Sequence, residues 1–163
     1  MEVRAMESDQ VETPGGPAIQ APHPSWLDQP LVDFMIRNPV SVQVTDTLRM
    51  VQMCMNRTGA GHIPVLDRGR PVGIVTARDL ARSMPVPLTV LKRDEMERLL
   101  TVPVEELMSA PAVTLAETEC LSRAVARMVE EGVGAVLVID PKSGELTGLV
   151  TRSTVVNLVA RSG

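Results

Sequence analysis

The chain has 163 residues, 16 Lys+Arg against 20 Asp+Glu (net charge −4), and is 44% hydrophobic but only 1% aromatic. That length allows one domain or two very small ones. The acidic balance and near absence of rings argue against nucleic acid, which needs a basic face to release counterions and stacking platforms for single strands. Cys54 and Cys120 form no CxxC pair, and only His23 and His62 could join them. A zinc site takes about four ligands, so no metal is expected, and the cysteines read as small buried hydrophobes of a reducing compartment.

In chain order, residues 1–24 scatter their apolar side chains around Pro14, Pro17, Pro22 and Pro24, the composition of a disordered tail. No charged-then-apolar start marks a signal peptide, and no run reaches the ~18 apolar residues of a membrane span, so a soluble cytoplasmic protein is expected. From Trp26 onward the predicted elements are a short helix at 27–35, a strand at 40–44, a helix at 47–57, strands at 63–67 and 71–75, and a helix at 77–83. Residues 84–102 form a linker. Pro85 and Pro87 stop the preceding helix there, and KRDEMERLL makes a charged helix with Leu91, Leu99 and Leu100 toward the core. A short helix at 104–108, strands at 113–116, 135–140 and 146–150, and helices at 119–131 and 152–161 follow.

The second series repeats the first. Met35 aligns with Met108 (108 − 35 = 73), and NPVSVQVTDTL lies over PAVTLAETECL. Leu48, Val51 and Met55 fall on Leu121, Ala124 and Met128, spaced i, i+3, i+7 on one helix face. Gly59 and Gly61 fall on Gly132 and Gly134, and HIPVLD falls on AVLVID. Two extra residues then shift the offset, and GIVTARDL (73–80) matches GLVTRSTV (148–155; 148 − 73 = 75). The expected fold is α+β: two β-α-β-β-α repeats, residues 25–83 and 103–163, related by a pseudo-twofold axis, with small mixed sheets packed against helices. Each unit is small for independent stability, and pairing lets two incomplete cores bury one another.

Thr76 and Asp79 carry the chemistry. One account is a capping box, in which the threonine accepts from the third helical amide and the acid returns a bond. The other is a ligand site, since a carboxylate accepts two hydroxyls at once and bonds to a charged acceptor are worth about 1.5–3 kcal/mol each. Phosphate is favoured at such a strand-to-helix junction, with Arg78 and His62 nearby to neutralise it. Either of those two also fits a plain surface or turn position. No GxxxxGK[ST] loop, Ser-His-Asp arrangement or paired acids are present, so an enzyme is not expected.

MIRNPVSV, GHIPVLD and GIVTARDL in the first copy, and MSAPAVTL, GAVLVID and GLVTRSTV in the second, resemble a tandem pair of CBS domains, a Bateman module, over about Trp26 to Ala160. The resemblance implies an adenosine nucleotide (AMP, ADP, ATP or related) in the cleft between repeats, no catalytic cofactor, and a regulatory energy-sensing role toward a separate partner protein. It implies that Asp79 accepts both ribose hydroxyls and Thr76 bonds a ribose or phosphate oxygen. Backbone at Pro39 and Val40, and at His62 and Ile63, would hold the adenine edge, with Val40 and Ile63 sandwiching the ring. The counterparts Val113, Ala135, Val136, Thr151, Arg152 and Thr154 make a weak second site, because Thr154 has neither charge nor a second oxygen; Arg152 is expected to serve a phosphate bound at the first. A homodimer packed through helical faces is also implied. The alternative is a ligand-free scaffold.

Overall fold

The computed structural model describes residues 24–83 and 92–161. Two sheets organise it. In the first, β2 (Val42–Gln43) runs parallel to β3 (His62–Asp67), which pairs antiparallel with β4 (Arg70–Thr76). In the second, β5 (Thr114–Ala116), β6 (Ala135–Ile139) and β7 (Leu146–Thr151) repeat that pattern. β1 (Ile36–Arg37) adds an antiparallel edge to β7, giving the order β1-β7-β6-β5. The helices are α1 (Leu48–Thr58), α2 (Ala77–Ser83), α3 (Arg93–Leu100), α4 (Leu121–Glu130) and α5 (Arg152–Arg161). No described helix is long and apolar enough to cross a membrane.

The helical spacing does what it predicts. Leu48, Val51 and Met55 are the buried residues of α1, and Leu121, Ala124 and Met128 those of α4. Gly59, at φ 70, closes α1 in the left-handed region that glycine enters without a Cβ penalty, its amide donating to Met55 O at 2.8 Å. The β3–β4 hairpin turns through Arg68 and Gly69, both at positive φ, which matches the twist of the flanking strands. Both faces of β6 are buried. Val136 and Val138 join the core under α4, while Ala135 and Leu137 meet Ile74 of the first sheet across the seam.

The expected short helices are 3-10 turns, at Ser25–Asp28, Leu31–Asp33 and Val104–Glu106. Their packing departs from a division into self-contained repeats, because each arm crosses to the other half. Leu31 and Met35 are buried with Leu121, Val136 and Val150, in the second core. Val104 is buried with Val51, Ile63 and Val75, in the first. The crossing bonds are symmetric. Leu31 N–H donates to Glu119 O and Leu121 N–H to Gln29 O, while Val104 N–H donates to Asp46 O and Leu48 N–H to Val102 O. Those pairs are counterparts at one offset (31 + 73 = 104; 119 − 73 = 46). Glycines admit the arms. A Cβ on Gly73 would stand 2.5 Å from Met108 Sδ and 3.1 Å from Ser109 O, and one on Gly148 would meet the Met35 thioether.

The expected tail, apart from Pro24, lies outside the described residues, as do Pro85, Pro87 and Leu91 of the linker. The predicted charged helix is α3, with Leu100 buried and Leu99 half-buried. Cys54 and Cys120 are free thiols, both half-buried.

Candidate functional site

β4 ends at Thr76 and α2 begins at the next residue, so the Thr76–Asp79 corner forms where a sheet edge turns into a helix. Asp79 Oδ2 accepts from the Thr76 amide at 2.8 Å and from the Thr76 hydroxyl at 2.7 Å, and Thr76 Oγ1 accepts from the Asp79 amide at 3.2 Å. The capping box is therefore formed. It uses one carboxylate oxygen, and Oδ1 takes no hydrogen bond among the described residues. A carboxylate accepts at about four lone-pair positions, so the two bonds of the cap leave about half of that capacity, including all of Oδ1, unused. The two accounts of Asp79 are compatible.

Strand register brings His62 to this corner. His62 pairs with Thr76 at the head of the hairpin, and the Ala77 amide donates to Gly61 O at 3.0 Å. The second repeat presents the same turn: Ala135 pairs with Thr151, and the Arg152 amide donates to Gly134 O at 3.0 Å. The two turns face each other, and a Cβ on Gly134 would lie only 3.0 Å from His62 Nε2. Between them lies a cavity of about 460 Å3, with Thr76, Arg78, Asp79 and His62 on one wall and Gly134, Ala135 and Arg152 on the other. Arg82 and Ser109 complete its rim. Three arginines and one acid line it, so it is electropositive around a single carboxylate.

Burial pushes the His62 imidazole below its ordinary pKa of 6.5; Asp79 pulls it back up, and Arg152 lowers it further. A histidine depressed in the folded state holds fewer protons than in the unfolded chain, so stability is fully present above 6.5 and is lost as pH falls through that value toward the folded pKa. The expected result is a fall in the urea midpoint between about pH 7 and about pH 5.5, a window in which few other side chains titrate. In His62→Gln that slope flattens; an unchanged slope would remove His62 as its source.

Other predicted residues lie elsewhere. Ile63 is fully buried in the first core, and Val40 packs on that core's edge. The Ile63 side chain packs in that core and lines neither this cavity nor its counterpart in the second repeat. Pro39 and Val40, in the loop between β1 and β2, are half-buried and line neither this cavity nor its counterpart in the second repeat. Val113 and Val136 pack in the second core.

The second group splits in two. Ala135 and Arg152 wall the first cavity, whereas Thr151 and Thr154 border a separate one of about 390 Å3 with Asp33, Ile36, Asn157 and Arg161. Those walls are counterparts of the first (76 + 75 = 151; 79 + 75 = 154; 82 + 75 = 157; 109 − 73 = 36). The corner hydroxyls of Thr151 and Thr154 lie 3.1 Å apart, so Thr154 keeps the cap without the carboxylate. Arg82, Ser109 and Gly134 were not singled out from sequence. Arg82 stands one helical turn beyond Asp79 and Gly134 is the counterpart of Gly61, which were the available signals.

Comparison with known proteins gives consistent findings. The family model described as CBS domain matches residues 31–86 and 104–161. A CBS domain-containing protein of Dictyostelium discoideum is 30% identical over 130 residues, covering 78% of this chain and 89% of its own. The uncharacterized protein MJ1225 of Methanocaldococcus jannaschii is 25% identical over 130 residues, 78% of this chain; the match spans less than half of that relative, 46%. Among solved structures, the CBS domain pair of protein MJ0100, in complex with 5′-methylthioadenosine and S-adenosyl-L-methionine, superposes with a TM-score of 0.68 at 20% identity, covering 83% of this chain and 98% of that one. CBSX2 in complex with AMP gives 0.65 at 23% identity, covering 82% and 97%.

Proposed function

This chain belongs to the CBS domain family as a tandem pair, and from that premise we propose that its seam binds an adenosine nucleotide and that occupancy regulates a separate partner protein in the cytoplasm, without catalysis. The observation that carries the reading is the cavity of about 460 Å3 in which one carboxylate with a spare oxygen stands among three arginines. A ribose diol suits the carboxylate, and a phosphate suits the cations. The volume lies within the roughly 300–1,000 Å3 usual for small-ligand sites. That one structurally similar protein holds AMP, and a similar CBS pair 5′-methylthioadenosine and S-adenosyl-L-methionine, supports an adenosine ligand, and the arginines favour a phosphorylated one.

In this proposal the functional halves are 25–83 and 103–163, joined through 84–102. Asp79 takes the ribose, Thr76 a sugar or phosphate oxygen, and Arg78, His62 and Arg152 the phosphate. Backbone at His62 borders the base, while Pro39, Val40 and Ile63 lie outside the lining of this cavity. The second corner, at Thr151 and Thr154, stays empty or weak. A homodimer through helical faces is supported by exposed Val129, Val156, Val159 and Met53.

The formed Thr76–Asp79 box favours a second reading, a scaffold in which Asp79 only caps α2. Thermal unfolding separates the two. A ligand at a hundred times its dissociation constant stabilises by about 2.7 kcal/mol. AMP, ADP or ATP at millimolar concentration is expected to raise the midpoint by several degrees; no shift with any adenosine compound would leave the scaffold standing.

A further inference from the structure

Between α4 and α5 lies an apolar groove of about 460 Å3, walled by Val125, Met128, Val129, Val155 and Val156 and ending at Gly132 and Arg152. Val129 is 78% exposed and Val156 64%. The counterparts of Val125, Val129 and Val156 in the first repeat are Gln52, Asn56 and Ala81 (125 − 73 = 52; 129 − 73 = 56; 156 − 75 = 81). Two of those three are polar and the third is only a methyl, so the valine strip belongs to the second helix pair alone. Arg152 is equally one-sided, since its counterpart is Ala77 (152 − 75 = 77). The repeat that lacks the ribose-binding carboxylate is the one that carries both an arginine and a valine-lined groove.

Arg152 borders both cavities. It walls the seam with Asp79 and His62, and it closes the groove with Gly132. Its guanidinium Nη2 donates to Val133 O at 3.0 Å, tying the first residue of α5 to the turn that follows α4. Backbone bonds also hold that turn, Gly132 N–H to Val129 O at 3.3 Å, Val133 N–H to Met128 O at 3.1 Å and Arg152 N–H to Gly134 O at 3.0 Å, so the guanidinium contact is one of two ties between it and the start of α5.

We propose that Arg152 relays phosphate occupancy of the seam to the α4–α5 groove. The proposal rests on the nucleotide reading above and adds its route of regulation. A phosphate is a much stronger acceptor for guanidinium than a neutral carbonyl, because both partners are charged. A phosphate in the seam therefore competes with Val133 O for Arg152. Engagement with the ligand loosens one of the two ties between α5 and the 131–134 turn and redraws the end wall of the groove. A ligand shifts such an equilibrium only through its differential interaction with the two arrangements. Here that difference is the phosphate–guanidinium contact, so a nucleoside without phosphate fills the seam and leaves the groove as it was.

The test is hydrogen exchange on the full chain, free and saturated with AMP or with adenosine, with calorimetry in parallel. AMP is expected to alter exchange in peptides covering 129–134 and 152–158, and adenosine to leave them unchanged. Arg152→Gln is expected to weaken AMP binding at least about tenfold and, at saturating AMP, to show no exchange response in those peptides. Arg152→Lys, which keeps the charge, restores part of both. An equal response in Arg152→Gln, or equal responses to AMP and adenosine, overturns the relay. Heat of AMP binding with no change in those peptides also overturns it, while the nucleotide reading survives; no heat with either compound removes that reading and the relay with it.

Discussion

Asp79→Ala is expected to weaken nucleotide binding by about two to four orders of magnitude while costing the fold little. Two hydrogen bonds to a carboxylate are worth about 1.5–3 kcal/mol each, and each 1.4 kcal/mol is a factor of about ten in affinity. The structural role of the same side chain is much smaller. Its box with Thr76 is an N-terminal cap on α2, a helix with no buried residue, and losing such a cap costs about 1 kcal/mol. Asp79→Asn separates the two contributions. An amide oxygen can still accept from Thr76, so the cap survives, but the charge and the second strong acceptor are gone. Calorimetry should therefore rank binding as wild type far above both variants, and urea unfolding should rank stability as wild type close to Asn and slightly above Ala. If both variants bound nucleotide as wild type does, Asp79 would be a cap and no more.

The elements that sequence exposes well are those whose pattern is local. The i, i+3, i+7 spacing of Leu48, Val51 and Met55 and its copy at Leu121, Ala124 and Met128 place α1 and α4. The predicted strands at 63–67 and 71–75 fall within a residue of β3 and β4. The fold class follows from the repeat itself. What was hidden is non-local. Nothing in SWLDQPLVDFM says which core Leu31 and Met35 will enter, because an apolar residue carries no address. The one sequence trace is a double coincidence: Met35 and Met108 recur at one offset, and Gly73 and Gly148, the glycines that receive them, recur at the next. The candidate site divides in the same way. His62, Thr76, Arg78 and Asp79 lie within eighteen residues on one hairpin and its helix, and they share a cavity wall. The burial of the Ile63 side chain in the first core is not legible in the pattern, because alternation cannot distinguish a cleft face from a buried one when a strand is covered on both sides, as β3 is from Ile63 to Leu66. Arg152 reaches the first cavity only because two turns from different repeats meet across the seam.

That crossing of arms predicts the largest stability effect in the molecule. Leu31 sits at the start of the first repeat in sequence, yet it is 0% exposed in the second core, against Leu121, Val136 and Val150. Leu31→Ala removes most of a buried side chain from a site fixed by a backbone bond on either side, Leu31 N–H to Glu119 O and Leu121 N–H to Gln29 O. Such a site collapses poorly around a cavity, and truncations of this kind cost about 2.7–5 kcal/mol. Against a typical total of about 5–15 kcal/mol, that is a large fraction of the whole. The location of the damage is the sharper readout. Hydrogen exchange in Leu31→Ala is expected to lose protection first in α4, β6 and β7, the two strands lying more than a hundred residues away in sequence at Ala135–Ile139 and Leu146–Thr151, and only later in β3 and β4. Because β6 and the start of α5 form the far wall of the seam, the same variant should loosen nucleotide binding without touching Asp79. Loss confined to β3 and β4, or a cost below about 1 kcal/mol in urea unfolding, would show that the arm belongs to the half it precedes.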